Sequence, residues 1–275
     1  MSNGNVSVDA LLPPAMAVKA ENVGIAKANM DTLTMFMLAI LAGAFIGLGA
    51  EFCTVVATNN GLGFGMSKLM CGLVFCIGLV LVIVAGAELF TGNNLILMAV
   101  ISGKVPVSKL LRNWIIVYIG NFVGSVATAY CIYLSQQYTM ADGAVGAKAI
   151  AIAAGKCNPD VPFIAYFFKA VYCNAMVCLA VWLCFSARTS TDKILCIIFP
   201  IAGFVASGFE HCVANMYFIP VGLFIKGAVG AEAVNLTWAN FFSVNLLPVT
   251  LGNIVGGAGY VGVFYWIIYS RKKKA

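Results

Sequence analysis

The chain has 275 residues, 62% of them hydrophobic and only 9% charged, with a formal net charge of +6. A soluble domain carries about 25% charged residues, so the balance excludes an ordinary soluble or nucleic-acid-binding protein and reads as a chain that crosses a lipid bilayer several times. One histidine and ten cysteines with no CxxC pair exclude His/Cys zinc spacing and paired-histidine haem ligation, so no cofactor or metal is expected and the chain does not read as an enzyme.

Residues 1–30 are mixed in character, with Pro13-Pro14 and no long apolar core, and read as a short N-terminal segment, partly helical around Ala15 to Asn29. Six hydrophobic spans follow, each near the roughly 20 residues that cross a bilayer. They run from about Thr34 to Thr58, Lys68 to Ile101, Trp114 to about Gln136, Phe163 to Ser186, Ile194 to Ile225 and Phe241 to Tyr269. Tyr138 to Pro162 reads as an Ala/Gly-rich loop carrying Lys148 and Lys156, with Cys157 as the one cysteine outside an apolar run. Trp114, Trp182, Trp238 and Trp266 fall at span ends, as interfacial anchors should. Lys19, Lys27, Lys104, Lys109, Arg112, Arg188, Lys193 and the basic run Arg271 to Lys274 fall on one side. Only Lys68, Lys148, Lys156, Lys169 and Lys226 fall on the other, which predicts a multi-pass protein of the cell membrane with both termini in the cytoplasm.

Two spans are interrupted. The second breaks at Glu88-Leu89-Phe90-Thr91-Gly92-Asn93-Asn94, and the fifth at Ser207-Gly208-Phe209-Glu210-His211-Cys212-Val213-Ala214-Asn215. Polar groups at membrane depth are tolerated only where they are buried in protein or line a cavity. Each break has a glutamate followed five residues later by an asparagine, Glu88 with Asn93 and Glu210 with Asn215. Gly120-Asn121-Phe122-Val123-Gly124 in the third span matches Gly252-Asn253-Ile254-Val255-Gly256 in the sixth, so each half has a break followed by GNxVG. Three spans per half is an odd number, and the halves must enter the membrane from opposite sides. The expected fold is therefore an all-α membrane protein of six transmembrane helices, an inverted 3+3 repeat with broken second and fifth helices.

His211 lies in the second break, where an ionisable group is functional by default. Its ring can donate hydrogen bonds to a small anion and, when charged, can lend a proton. Thr91 supplies a hydroxyl from the other break. Asn174, in mid-span, is expected to orient His211, touch the solute or make an interhelical hydrogen bond. Phe75, Leu79, Leu89, Phe90 and Phe204 flank these groups and would form greasy constrictions, with Val177 of the fourth span on the same path. A bare anion crossing them would lose its hydration at large cost. Glu88 and Glu210 are expected to brace the breaks with Asn93 and Asn215, accepting hydrogen bonds at the starts of the half-helices.

Gly86-Ala87-Glu88-Leu89-Phe90-Thr91-Gly92, Ser207 to Met216 and Val249-Thr250-Leu251-Gly252-Asn253 resemble the signatures of the formate/nitrite transporter family. Leu11-Leu12-Pro13-Pro14, Arg112-Asn113-Trp114 and Asn245-Leu246-Leu247-Pro248 resemble its formate-channel branch. Thr91-Gly92-Asn93 is more similar to the nitrite and hydrosulfide branches, and Glu51 stands where the formate branch is apolar. The resemblance implies an aquaporin-like protomer and a homopentamer with one pore per subunit. It places Thr91 and His211 at the pore centre, Asn174 beside the histidine, and Leu79, Leu89 and Phe204 at the constrictions. It also implies that Lys156 is a vestibule lysine drawing anions in, and that the N-terminal segment gates the cytoplasmic mouth at low pH.

Residues 31–270 are thus expected to form a six-span channel domain, with residues 1–30 and a basic tail, 271–275, in the cytoplasm. Its solutes would be small monovalent weak-acid anions and protons, formate first, with nitrite or hydrosulfide as the alternative. A neutral-solute pore for water or glycerol is the rival of another class. The greasy constrictions and the lack of paired Asn-Pro-Ala motifs speak against it.

Overall fold

The computed structural model describes residues 9–271, so Lys272, Lys273 and Lys274 of the expected tail lie outside the described residues. These residues form helices only: α1 Pro13–Asn29, α2 Thr32–Ala57, α3 Phe64–Gly86, α4 Phe90–Ile101, α5 Val107–Leu134, α6 Ala144–Lys156, α7 Phe163–Ser186, α8 Ser190–Ala206, α9 Cys212–Val229 and α10 Trp238–Ser270. Six helices are long and apolar enough to cross a membrane: α2, α3, α5, α7, α9 and α10. They are apolar on all sides because one face meets protein and the other lipid. Phe64 and Phe199, for example, are more than three-quarters exposed.

Local sequence sets the helix ends. Asp31 caps α2, accepting a hydrogen bond from the Thr34 N–H at 2.9 Å. Pro106 and Pro162 hold extended backbone before α5 and α7. Thr189 and Asp192 close a reciprocal capping box on α8.

The interruptions fall where the sequence places them. The last turn of α3, Leu81–Gly86, is π-helical and ends at Gly86 with φ +90°. The chain then runs extended through Ala87 and Leu89 before α4 begins. The break between α8 and α9 turns at Gly208 with φ +70° and is extended at His211. Only glycine takes this left-handed conformation without penalty, so both breaks need one.

The GNxVG segments of α5 and α10 bring backbone against backbone. A Cβ on Gly124 would lie 2.0 Å from the Ile40 carbonyl oxygen of α2, and one on Gly256 would lie 2.0 Å from the Val171 carbonyl oxygen of α7. Gly120 and Gly252 are nearly as tight, at 2.5 Å from the Ala39 Cβ and 2.2 Å from the Phe167 oxygen. Without a hydrophobic drive between helices in lipid, such close approach is what packs them.

Three expectations are corrected. Tyr138 to Pro162 is not simply a loop: Val145, Ala149 and Ala153 recur every fourth residue and give α6 a buried face. A Cβ on Gly222 of α9 would meet the Ala153 Cβ at 2.4 Å, so α6 lies directly on α9. Cys157 at its end is fully buried, whereas Cys131 within α5 is exposed. Trp182 is no interfacial anchor, being buried and stacked on Tyr265 with ring centroids 4.0 Å apart.

The N-terminal segment is helical over Pro13–Asn29 and lies against the domain. Buried Glu21 holds it there by accepting hydrogen bonds from Lys104 and, at 2.7 Å, from Ser102. Burial pushes the Glu21 carboxyl up, but hydrogen bonds from Lys104 and Ser102 and the charge of Lys104 outweigh it and hold it below the usual carboxylate range. A lowered value means this anchoring is complete above the ordinary carboxylate range and fades only as pH falls through the lowered one.

The glycine contacts are directly testable. Gly124→Ala and Gly256→Ala should each destabilise the purified protein by roughly 1–3 kcal/mol or more, the usual cost of overpacking. Gly227→Ala, at an exposed helical site where a Cβ meets nothing, should be neutral or stabilising. Thermal denaturation in detergent reads both, and equal melting temperatures for Gly124→Ala and Gly227→Ala would contradict the packing account.

Candidate permeation site

Interrupting a helix at membrane depth strands backbone donors and acceptors, and one asparagine from each GNxVG segment recovers them. Asn121 accepts from the Phe90 N–H at 2.9 Å and donates to the carbonyls of Ala39 and Glu88 at 2.8 and 2.9 Å. Asn253 accepts from the Cys212 N–H at 2.9 Å and donates to the carbonyls of Ala170 and Glu210 at 2.8 and 3.0 Å. Each pattern ties the first N–H of a half-helix to the glutamate two residues upstream and to a neighbouring span.

A second matched set surrounds each glutamate. Asn93 donates to Glu88 at 2.7 Å and to Asn113 at 2.9 Å, while Lys27 of α1 donates to Glu88 at 2.6 Å. Asn215 donates to Glu210 at 2.6 Å and to Asn245 at 2.7 Å, while Lys156 of α6 donates to Glu210 at 2.9 Å. Both carboxylates are buried and each has its own lysine, as a buried charge requires. Thus α1 and α6 do the same work, each carrying a cation to one break. The glutamates brace through side chains, not through the half-helix N–H groups as expected, because Asn121 and Asn253 already occupy those.

Thr91 and His211 meet between the breaks, with the hydroxyl 3.0 Å from Nε2. The Ala214 N–H donates to Nδ1 at 3.1 Å, so in the neutral ring the proton sits on Nε2. Nε2–H therefore donates to the Thr91 oxygen, and the threonine keeps its own hydrogen for another acceptor. His211 and Leu89 occupy equivalent posts: both precede a half-helix with near-identical extended backbone, φ −113°, ψ 117° and φ −105°, ψ 124°.

Two cavities approach this pair. On the face carrying α1, a cavity of about 560 Å³ is lined by Leu79, Leu89, Gly92, Lys19, Lys27 and Lys193, among others. On the opposite face, a cavity of about 420 Å³ reaches His211 past Phe75 and Phe204, with Lys68, Lys148 and Lys156 on its walls. Phe204 stacks beside the imidazole, centroids 6.0 Å apart, and Phe75 meets Phe204 edge-on at 5.8 Å. Leu79, Leu89, Phe75 and Phe204 are nearly fully buried, so each cavity ends in an apolar constriction. Both cavities are electropositive. Burial, then neighbouring Lys193 and Arg188, holds the Lys19 ammonium below its usual value.

Several expected residues stand elsewhere. Phe90 lines neither cavity: successive residues of an extended chain point to opposite sides, so Leu89 faces the cavity and Phe90 faces away. Its ring packs on Tyr118 at 4.9 Å and Trp114 at 6.1 Å, in an apolar groove between α5 and α10. Asn174 does not bond His211; its amide donates to the carbonyls of Asn253 and Thr91 at 2.7 and 3.3 Å and to Asn94 at 3.1 Å, which is the interhelical role. Val177 is buried and lines neither cavity. Lys156 does face the cavity, but Glu210 offsets its charge and it lies over the Phe218 ring at 5.5 Å. Lys68 and Lys148 have no carboxylate partner among the described residues and carry the free positive charge there. Glu51 is buried against the Tyr217 hydroxyl and lines neither cavity.

Sequence reasoning missed Asn121, Asn253, Asn113, Asn245 and Lys27 as loop-bracing residues. The signal for the first two was the asparagine repeated at the second position of GNxVG. Lys27 had none, since nothing local ties it to residue 88.

A family model described as "Formate/nitrite transporter" matches residues 14–267. The "Formate channel FocA" of Escherichia coli (strain K12) is 43% identical over 276 residues, covering 96% of either chain. A solved "Pentameric formate channel with formate bound" is 42% identical with TM-score 0.80, over 87% of this chain and 98% of that one. A solved "FNT family ion channel" is 31% identical with TM-score 0.82, over 92% and 98%.

The loop braces predict a large structural penalty. Asn253→Leu leaves the Cys212 N–H and the Glu210 carbonyl unpaired, at about 1–3 kcal/mol for each buried group. The variant should melt well below wild type, and Asn121→Leu should match it. A melting temperature within a degree or two of wild type for either would show that the breaks are held by something else.

Proposed function

The chain belongs to the formate/nitrite transporter family, and from that premise we propose that it is a membrane channel for small monovalent anions of weak acids, formate first, working as a homopentamer with one path through each subunit. One observation carries this reading: two hydrogen-bond donors, the Thr91 hydroxyl and His211 Nε2–H, meet between two electropositive cavities that each end in an apolar constriction. A relative at 43% identity described as a formate channel and a neighbour with formate bound support the choice of anion. The matched asparagine and glutamate clusters support an aquaporin-like inverted repeat. The distribution of Lys and Arg supports both termini in the cytoplasm, with the α1 face inward.

Transport follows in three steps. The cavity lysines concentrate the anion by their field. The anion then displaces the Thr91–His211 bond and takes both donors, which offset part of its lost hydration. It leaves across the second constriction as the neutral acid or with a shared proton. Sharing a proton requires His211 to be charged, and a proton on Nδ1 costs the bond from Ala214 N–H. Donation from Nε2 and Thr91 is therefore the resting arrangement, and proton transfer is coupled to release of that cap. Asn174 serves by fixing the Thr91 carbonyl rather than by touching the solute.

Nitrite and hydrosulfide have the same charge and similar size, and Thr91-Gly92-Asn93 keeps them as the second reading. A neutral-solute pore is disfavoured by the lysine-lined cavities, which would serve no purpose for an uncharged solute.

His211→Phe in proteoliposomes should lower formate flux roughly ten- to a hundredfold, the worth of about 1.5–3 kcal/mol for a hydrogen bond to a charged group. It should also flatten the dependence of flux on pH; flux and pH profile both like wild type would remove His211 from the mechanism. Uptake of formate, nitrite and hydrosulfide compared in one preparation should rank formate first. A higher rate for either of the others would reassign the solute within the family.

A further inference from the structure

Helices α2 and α3 form a hairpin held by backbone contact: a Cβ on Gly49 would lie 2.9 Å from the Phe75 carbonyl oxygen, and one on Gly78 would lie 3.2 Å from the Phe45 oxygen. Cys53 and Cys71 face each other one turn further along, four residues beyond Gly49 and four before Phe75. The Cys71 thiol donates to the Cys53 carbonyl oxygen at 3.8 Å. The register that sets Gly49 against Phe75 sets Cys53 against Cys71, and a disulfide between them needs Cα atoms within about 7 Å. Both cysteines are free, and both line the cavity that holds Lys68, Lys148 and Lys156. No third metal-ligating side chain joins them among the described residues, so the pair is not a tetrahedral metal site.

We propose that Cys53 and Cys71 form a thiol–disulfide site in the wall of this cavity, which takes a small anionic disulfide as oxidant and, once bridged, holds the Phe75 constriction shut. The lysines draw an anionic reagent to the thiols as they draw the transported anion. The Cys71 thiolate attacks one sulfur of the reagent, forming a mixed disulfide and expelling one thiolate. The Cys53 thiolate then attacks the Cys71 sulfur, closing the bridge and expelling the second. Two protein thiols are oxidised, the reagent's disulfide is reduced to two thiols, and the two protons from the cysteines pass to them.

Phe75 is one turn from Cys71 on the same helix, edge-on to Phe204 and stacked on Phe218 at 6.5 Å. A solute passing Phe75 and Phe204 needs α3 to yield there, and a bridge to α2 pins it. This consequence for flux rests on the channel reading above; bridge formation does not.

The test uses the full-length protein in proteoliposomes treated with oxidised glutathione. Unreduced peptide mapping by mass spectrometry should find the Cys53 and Cys71 peptides joined. Anion uptake should fall in step with the bridge, and dithiothreitol should reverse both. Cys53→Ser and Cys71→Ser should form no bridge and lose the sensitivity of uptake to oxidant, each compared with its own untreated sample. Recovery of both cysteines as unmodified thiols, or a bridge that leaves uptake unaltered, would overturn the proposal. Lack of formate uptake before any oxidant is added would instead overturn the formate reading.

Discussion

Everything at the centre of this protein depends on satisfying the backbone of two helices that stop and restart at membrane depth. Water is absent there, and each stranded N–H or carbonyl costs several kcal/mol. Asn121 and Asn253 meet that constraint, each with one accepting and two donating contacts. Their neighbours in GNxVG are glycines because the asparagine can reach the break only if its helix lies against the next one. Close packing and loop bracing are thus one device, and the position of Thr91 and His211 follows from it.

The charges obey a similar economy. Two buried glutamates would repel an anion if left alone. Lys27 and Lys156 compensate them, and both pairs sit beside the path without being part of its central contact. The attraction offered to an anion therefore comes from other lysines, Lys68 and Lys148 on one face and Lys19 and Lys193 on the other. Attraction is spread around the mouths, whereas the narrow part offers only neutral donors between hydrocarbon side chains. A site of that kind can hold a small anion loosely, which suits passage better than retention.

Much of this was legible before any coordinates. The spans, both breaks, the repeated asparagine and the meeting of Thr91 with His211 rest on hydropathy and on polar residues where lipid forbids them. Side-chain direction was less legible: Leu89 and Phe90 look alike in sequence, and only the extended backbone before α4 sends one inward and the other to Trp114 and Tyr118. Asn174 looked like a partner for the histidine because mid-span amides demand partners, but three nearer acceptors claim it. The helix within 144–156 was hidden because an Ala/Gly run has little hydrophobic contrast, although the four-residue recurrence of Val145, Ala149 and Ala153 marks its face. Lys27 was beyond reach, since its role exists only once α1 lies beside a break more than fifty residues away.

Leu89 and His211 stand on equivalent posts in two loops built by the same rules, yet one is a hydrocarbon and the other an imidazole. The scaffold itself is even-handed, with matching braces, matching glycines and matching counter-cations. On the proposed path, a solute arriving from one mouth meets branched aliphatic carbon before the donors, and from the other it meets stacked rings and the imidazole itself. Whatever sense of direction the conduit has is thus written in its side chains, Leu79 and Leu89 on one side against Phe75, Phe204 and His211 on the other, rather than in the matched braces that hold them.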